Sequence, residues 1–204
     1  MKRLALAMAL LVAGCGTAKP NIGEVPPLRP SQIAAPAVPV RAPVKIASSG
    51  TGKLAAAQTE NYMDAQETEL RQRLRASGVS VRRQGDDILL SIGNDILFDT
   101  GSANLSARAS QIVGAMADVL MRYNKTFVSV GGYSDTTGAP EFNLKLSQAR
   151  AQAVANRLID GGVDRARVTP QGFGETHLKI PTGDQVNEPR NRRVEIKIVP
   201  HTEG

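Results

Sequence analysis

The apolar positions of this chain fall into three successive patterns. The first is an unbroken run, Leu4 to Ala13, preceded by Lys2 and Arg3 and closed by Gly14 and Cys15. It is shorter than the roughly 20 residues a spanning helix needs. With its basic flank it reads as a secretory signal over residues 1–14. The second pattern, residues 15–52, has no period at all. Pro20, Pro26, Pro27, Pro30, Pro36, Pro39 and Pro43 interrupt it, and Ser48-Ser49-Gly50-Thr51-Gly52 closes it. Such a chain favours extended polyproline II and predicts a disordered tether, reaching on the order of 100 Å when stretched.

The third pattern is that of a folded domain. Residues 53–76 lack Pro and Gly and predict a helix. Met63, Leu70 and Leu74 give it a thin stripe, short of a coiled coil, and Glu67 and Arg71 form an i, i+4 pair. From Gly78 the period becomes two. Val79 and Val81 alternate with Ser80 and Arg82, Gln84-Gly85-Asp86-Asp87 is a turn, and Ile88 to Ile92 is the return strand of a hairpin. After Gly93-Asn94, residues Asp95 to Phe98 predict a third short strand. Leu105, Ile112, Met116, Val119 and Tyr123 then fall at helical spacing, with Ser106 as N-cap and Asn124 as the stop. Phe127 to Gly131 is a strand, and the next helix carries Leu146, Val154 and Leu158 on its apolar face and ends at Gly161-Gly162. A short strand near Arg167 to Gly172 and a last one from Arg192 to Val199 complete the domain, 77–200, with a tail at 201–204. The order β-β-β-α-β-α-β-β predicts an α+β fold, a mixed sheet with both helices on one face.

One residue breaks the apolar face of the last helix. Arg150 lies between Leu146 and Val154, seven positions after Asn143. A buried guanidinium needs a partner, and the acidic loop Tyr133-Ser134-Asp135-Thr136-Thr137-Gly138 at the mouth of that helix offers Asp135. Two readings follow. Asp135 and Arg150 form a structural ion pair, or they face one small ligand as its acid and its base. On the last strand, Arg192 is in phase with Val194 and Ile196 and is either pocket rim or structural support. Arg193 is in phase with Glu195 and Lys197 and is expected on a solvated face.

Composition narrows the chemistry. The 204 residues carry a formal charge of +6, but only 3% are aromatic and Trp is absent, which leaves little to stack on bases, so no nucleic-acid partner is expected. The His inventory is His177 and His201, and no G-x-S-x-G elbow occurs. That set suits neither a metallo-amidase nor a serine hydrolase, so no enzyme, metal site or cofactor is expected. The single Cys, Cys15, stands where the apolar run ends, so no disulfide is expected in the mature chain.

Val12-Ala13-Gly14-Cys15 resembles the bacterial lipobox. That resemblance implies cleavage before Cys15 and acyl chains on it, and two or three chains anchor stably where one does not. Gly16 in place of Asp suggests sorting to the outer membrane, with the domain facing the periplasm.

A larger set of residues resembles the OmpA-like peptidoglycan-binding domain family. It comprises Phe98-Asp99-Thr100-Gly101-Ser102-Ala103 with Leu105, Gly132-Tyr133-Ser134-Asp135 with Gly138, and Asn143, Leu146-Ser147, Arg150-Ala151 and Val154. Gly172-Phe173-Gly174-Glu175 and Asn191-Arg192-Arg193-Val194-Glu195-Ile196 complete it. The resemblance implies a β/α/β/α/β-β sandwich that holds the diaminopimelate of peptidoglycan stem peptides without covalent chemistry, in an OmpA-family outer-membrane lipoprotein. By the same resemblance Asp135 would accept from the ligand's ammonium and Arg150 would fork onto its carboxylate. Asn143 would touch the ligand or hold the loop. By that resemblance Ser134, Thr137, Gly101 and Arg192 would be lesser candidate contacts, with Thr100 beside them. Tyr133-Ser134 departs from the usual His-Thr, and the stretch from Pro181 to Arg190 departs from the commonest family loop, so no ligand contact is carried onto it. The alternative is a periplasmic adaptor that uses the domain, the Pro-rich stretch or the 53–76 helix to bind an envelope protein.

Overall fold

The computed structural model describes Leu54 and residues 56–202. The signal, Cys15 and the tether lie outside the described residues. The elements are α1 (Ala56–Arg73), β1 (Ser80–Gln84), β2 (Asp87–Gly93), α2 (Asn94–Leu97), α3 (Ala107–Arg122), β3 (Thr126–Tyr133), α4 (Pro140–Asp160), β4 (Val168–Gly174) and β5 (Arg193–Pro200). The five strands form one mixed sheet in the order β1-β2-β5-β3-β4. Only the β3–β4 pair is parallel, as its crossover through α4 requires. No helix among the described residues is long and apolar enough to cross a membrane.

Strand alternation sorts the sheet's two faces. Ile88, Leu90 and Ile92 of β2 are buried with Val194, Ile196 and Ile198 of β5 and Val128 and Val130 of β3. The register sets Leu90 and Val130 opposite Ile196 from either side, so these side chains make one continuous row. Met116, Val119 and Leu120 of α3 and Val154 and Leu158 of α4 close over that row. On the other face Ser129 and Lys197 are exposed.

The third predicted strand is not there. Residues Asn94–Leu97 make one helical turn, closed by the Phe98 N–H on the Asn94 carbonyl at 2.8 Å. Leu97 is buried at the end of the turn, and Phe98, also buried, is extended and forms an isolated bridge with Leu105. The helix predicted over 53–76 is α1, Ala56–Arg73. It stops before Ala76, whose φ of 61° is left-handed. Its stripe of Met63, Leu70 and Leu74 is buried in the same core as the sheet, which removes that face from other partners. The Tyr62 ring stands edge-on to Tyr123 at 5.3 Å, and its hydroxyl accepts the Lys125 N–H at 3.0 Å.

One buried cation holds the far end of the sheet. Arg167 is 3% exposed. Its Nε donates to the Thr126 carbonyl at 2.6 Å, Nη1 to the Leu120 carbonyl at 2.8 Å, and Nη2 to the Tyr123 carbonyl and Thr126 Oγ1, each at 3.0 Å. It thus caps the last carbonyls of α3 and fastens them to the start of β3. Burial pushes its pKa down, against smaller favourable effects of Tyr62 and Asp164.

Candidate functional site

The site forms where β3 ends and α4 begins, because α4 can come down close on the sheet there. Gly132 of β3 pairs with Gly172 of β4. A Cβ on Gly132 would stand 2.1 Å from the Ser147 carbonyl oxygen, and one on Gly172 2.5 Å from the Gln148 nitrogen. The bare backbones allow α4 to be tied across by its own side chains. Gln148 Oε1 accepts the Gly172 N–H at 2.6 Å and Ser147 Oγ accepts the Gly174 N–H at 2.9 Å. Pro140 starts the helix, its fixed φ suited to the first turn. This close seat carries Asn143 and Arg150 to the acidic loop.

Asp135 is buried, and both of its oxygens are engaged. Oδ1 accepts the Thr137 N–H at 3.3 Å, and Oδ2 accepts Arg192 Nη1 at 2.5 Å. The same Nη1 donates to Asn187 Oδ1. Arg192 is therefore the ion-pair partner of Asp135, and the structural Asp135–Arg150 pair, one of the two readings, does not form. Arg150 makes its own contacts beside them. Its Nε donates to the Ser102 carbonyl at 2.9 Å, and its guanidinium carbon lies 5.3 Å from the centre of the Phe98 ring. At 6% exposure Arg150 forms no salt bridge among the described residues. Burial lowers its pKa first and Arg192 lowers it further, while Asp135 opposes both.

Asn143 holds the loop. Its Nδ2 reaches the Asp135 carbonyl at 3.3 Å, the Thr137 carbonyl at 3.1 Å and Glu175 Oε2 at 2.7 Å. Ser134 gives its N–H to the Gly174 carbonyl at 2.8 Å. Its buried hydroxyl has no partner among the described residues. Thr137 and Gly101 are exposed, and Gly101 turns the chain at φ 68° just before the carbonyl that receives Arg150.

The segment 183–187, onto which the family resemblance carries no ligand contact, packs against the acidic loop as a wall of the site. Thr136 Oγ1 donates to the Gly183 carbonyl at 2.7 Å and accepts the Val186 N–H at 3.0 Å. The Gln185 N–H reaches the Thr136 carbonyl at 3.0 Å, and its side-chain amide makes two 3.0 Å bonds with the Gly138 backbone. Partners 47 to 50 residues apart leave no local signature.

Arg193 also departs from expectation. It lies on the outer face, in phase with Glu195, yet it is buried. Its guanidinium covers the Tyr133 ring at 3.9 Å and pairs with Glu195 Oε1 at 2.8 Å. Tyr133 stacks in turn on Phe173, centroids 5.0 Å apart. The cross-strand pairing of Tyr133 with Arg193 puts these groups together and shields that end of the face from water. Burial first, then Glu195, raises the Tyr133 phenol's pKa.

Chemically, the site offers one carboxylate already engaged by a guanidinium, a second guanidinium without a carboxylate, and loop carbonyls held by an amide. It suits recognition of a small polar head that carries an anion.

Known proteins resemble this chain over much of its length. The OmpA family profile matches residues 97–192. A relative named probable lipoprotein YiaD, from Escherichia coli strain K12, is 43% identical over 139 residues, 68% of this chain. The chain spans 64% of that relative's length. A peptidoglycan-associated lipoprotein of Mesorhizobium japonicum is 30% identical over 59% of this chain and 71% of its own length. Among solved structures, the cell wall anchor of the T6SS from Pseudomonas aeruginosa superposes with a TM-score of 0.57 at 33% identity, covering 64% of this chain and 96% of that one. The family match spans the segment that carries α3, β3, α4 and the Asp135 loop, and with these relatives it shows that the chain belongs to the OmpA family.

Proposed function

We propose that this protein is a lipid-anchored component of the cell envelope that binds peptidoglycan non-covalently, through the diaminopimelate of its stem peptides, and so links the outer membrane to the wall. The observation that carries the reading is Arg150, buried near the acidic loop with no carboxylate among the described residues to pair it. Such a group costs stability unless something else supplies the anion. A diaminopimelate head supplies a carboxylate for Arg150 and an ammonium for Asp135. Asn143 keeps the Asp135 loop in place for it, and Ser134, Thr137 and Gly101 line the approach.

The relatives support the coarser statement, an envelope protein that binds and anchors rather than catalyses: two are named lipoproteins, and the Pseudomonas aeruginosa domain is titled a cell wall anchor. The anchor itself rests on Cys15, isolated at the end of the apolar run. Cys15→Ser should abolish palmitate labelling and release the protein from membranes. Absence of label in the wild type would sink that part of the reading.

The pocket is tested with purified sacculi. Asp135→Asn keeps the shape and removes the charge. Loss of one partner of a desolvated pair costs about 2–5 kcal/mol, enough to remove the protein from a sacculus pull-down. Melting curves on the same samples separate lost binding from lost folding. A folded Asp135→Asn protein that sediments with sacculi like wild type defeats the assignment.

A further inference from the structure

The diaminopimelate reading leaves one contact unexplained. The carboxylate that would receive the ligand's ammonium already holds a guanidinium, since Arg192 Nη1 lies 2.5 Å from Asp135 Oδ2. We infer that Arg192 is a specificity-determining residue of the site: it competes with the ligand's ammonium for Asp135, so that an amine displaces it only when the same ligand brings a carboxylate. The inference rests on the diaminopimelate reading and adds a rule of selection to it.

The argument is one of charge. Around the pocket stand one buried carboxylate, Asp135, and two guanidinium groups, Arg150 and Arg192. The nearby Glu175 accepts from Asn143 and forms no ion pair among the described residues. A bare ammonium that takes Asp135 merely exchanges one cation for another and leaves the released guanidinium beside Arg150. Like charges repel, and in a partly desolvated site the repulsion is poorly screened. A zwitterionic head removes that penalty, because its carboxylate pairs Arg150 and neutralises the excess.

The geometry lets the exchange happen. The Asp135 side chain is 6% exposed, whereas that of Arg192 is 35% exposed and is the freer of the two to give way, while its backbone stays held by the Asn94 and Pro189 bonds. Arg192 also donates to Asn187 in the 183–187 wall and lies within electrostatic reach of the exposed-loop carboxylate Glu188. That wall is held independently on Thr136 and Gly138 by the Thr136 and Gln185 bonds, so Arg192 can leave without opening it.

The test uses the full-length protein in detergent and two tripeptides, L-Ala-γ-D-Glu-meso-diaminopimelate and L-Ala-γ-D-Glu-L-Lys. Their distal ends differ by one carboxylate. Titration calorimetry reads the ratio of the two dissociation constants. Wild type should favour the diaminopimelate peptide by about tenfold or more. Arg192→Gln should narrow that ratio about tenfold by tightening the lysine peptide, while Arg192→Lys, which keeps a competing cation, should largely preserve it. Asn187→Ala, which removes one hold on Arg192, should shift the ratio the same way by less, and it carries the test if melting shows that Arg192→Gln does not fold. A ratio unmoved in the folded variants overturns the role of Arg192 while leaving the diaminopimelate reading intact. Failure of wild type to bind the diaminopimelate peptide overturns both.

Discussion

The seat of α4 on Gly132 can be tested with one methyl group. In Gly132→Ala the new Cβ meets the Ser147 carbonyl oxygen at 2.1 Å, and carbon contacts below 3.0 Å essentially never occur. The obstacle is helix backbone, not the tip of a side chain, so no rotamer relieves it. The helix must back away from the sheet by roughly 0.9 Å, the difference between those two distances. A gap of that size forfeits about a quarter to a half of the dispersion energy across the interface. Ala151, Val154, Ala155 and Leu158 all contribute to it. Overpacking usually costs 1–3 kcal/mol, and a backbone obstacle places this variant near the top of that range, about 3 kcal/mol. In a domain of this size each kcal/mol lowers Tm by about 2–4 °C, so a fall of about 6–12 °C is expected. The bonds of Gln148 and Ser147 to Gly172 and Gly174 stretch in the same movement, and Arg150 is carried away from the Asp135 loop. Sacculus binding should therefore drop even at temperatures where the variant is fully folded. Chemical denaturation and pull-down on one preparation measure both effects. A Gly132→Ala protein within about 0.5 kcal/mol of wild type, binding normally, would refute the claim that this approach positions the site.

Arg167→Met should remove the cap from α3 and leave the Leu120 and Thr126 carbonyls short of a donor, at a cost of about 3–5 kcal/mol in denaturant unfolding. Its effect should stop at stability, because Arg167 works at the Thr126 end of β3 and the pocket opens at the Tyr133 end; weakened binding by the folded variant would contradict this. Glu188 lies in the exposed loop before Arg192, and its hydrogen bonds from Arg190 pull its pKa from an ordinary 4.5 down to about 2. A depressed carboxylate favours the folded loop above its unfolded pKa and loses that contribution as pH falls through about 2. NMR titration should place the Glu188 midpoint near 2 and return it towards 4.5 in Arg190→Ala; an identical midpoint in both proteins would show that Arg190 is not the cause.

What the sequence showed was what is written locally. Ser106 caps α3 through its bond to the Ala109 N–H, Gly85 with φ 60° turns the hairpin, and α4 stops at Gly161. Each of these is decided by a few consecutive residues. The short run at Asp95–Phe98 is too brief for either period to show; Asn94–Leu97 closes as a helical turn and only Phe98 is extended, bridging Leu105. For Arg193 the strand phase was legible, but an outward position means solvent only if nothing covers it, and Tyr133 does. At the pocket, the buried place of Arg150 could be read from helical spacing, whereas its lack of an ion pair could not. That depended on Arg192 reaching Asp135 from 57 residues away. The wall at 183–187 was hidden for the same reason, since its bonds with Thr136 and Gly138 join distant loops.

The two ends of the described chain meet, and this has a mechanical side. Leu54 gives its N–H to the His201 carbonyl at 2.7 Å and bridges Thr202, directly beyond the end of β5. The opposite end of β5 begins at Arg193, which pairs with Tyr133 at the start of the acidic loop. A pull that enters at Leu54 and is resisted at the pocket is thus transmitted along one strand, about 26 Å long at 3.3 Å per residue. That strand is the middle one, laced to β2 on one side and β3 on the other. Its ladder bonds lie across the direction of pull, so they share the tension and must yield together instead of opening one after another from an end.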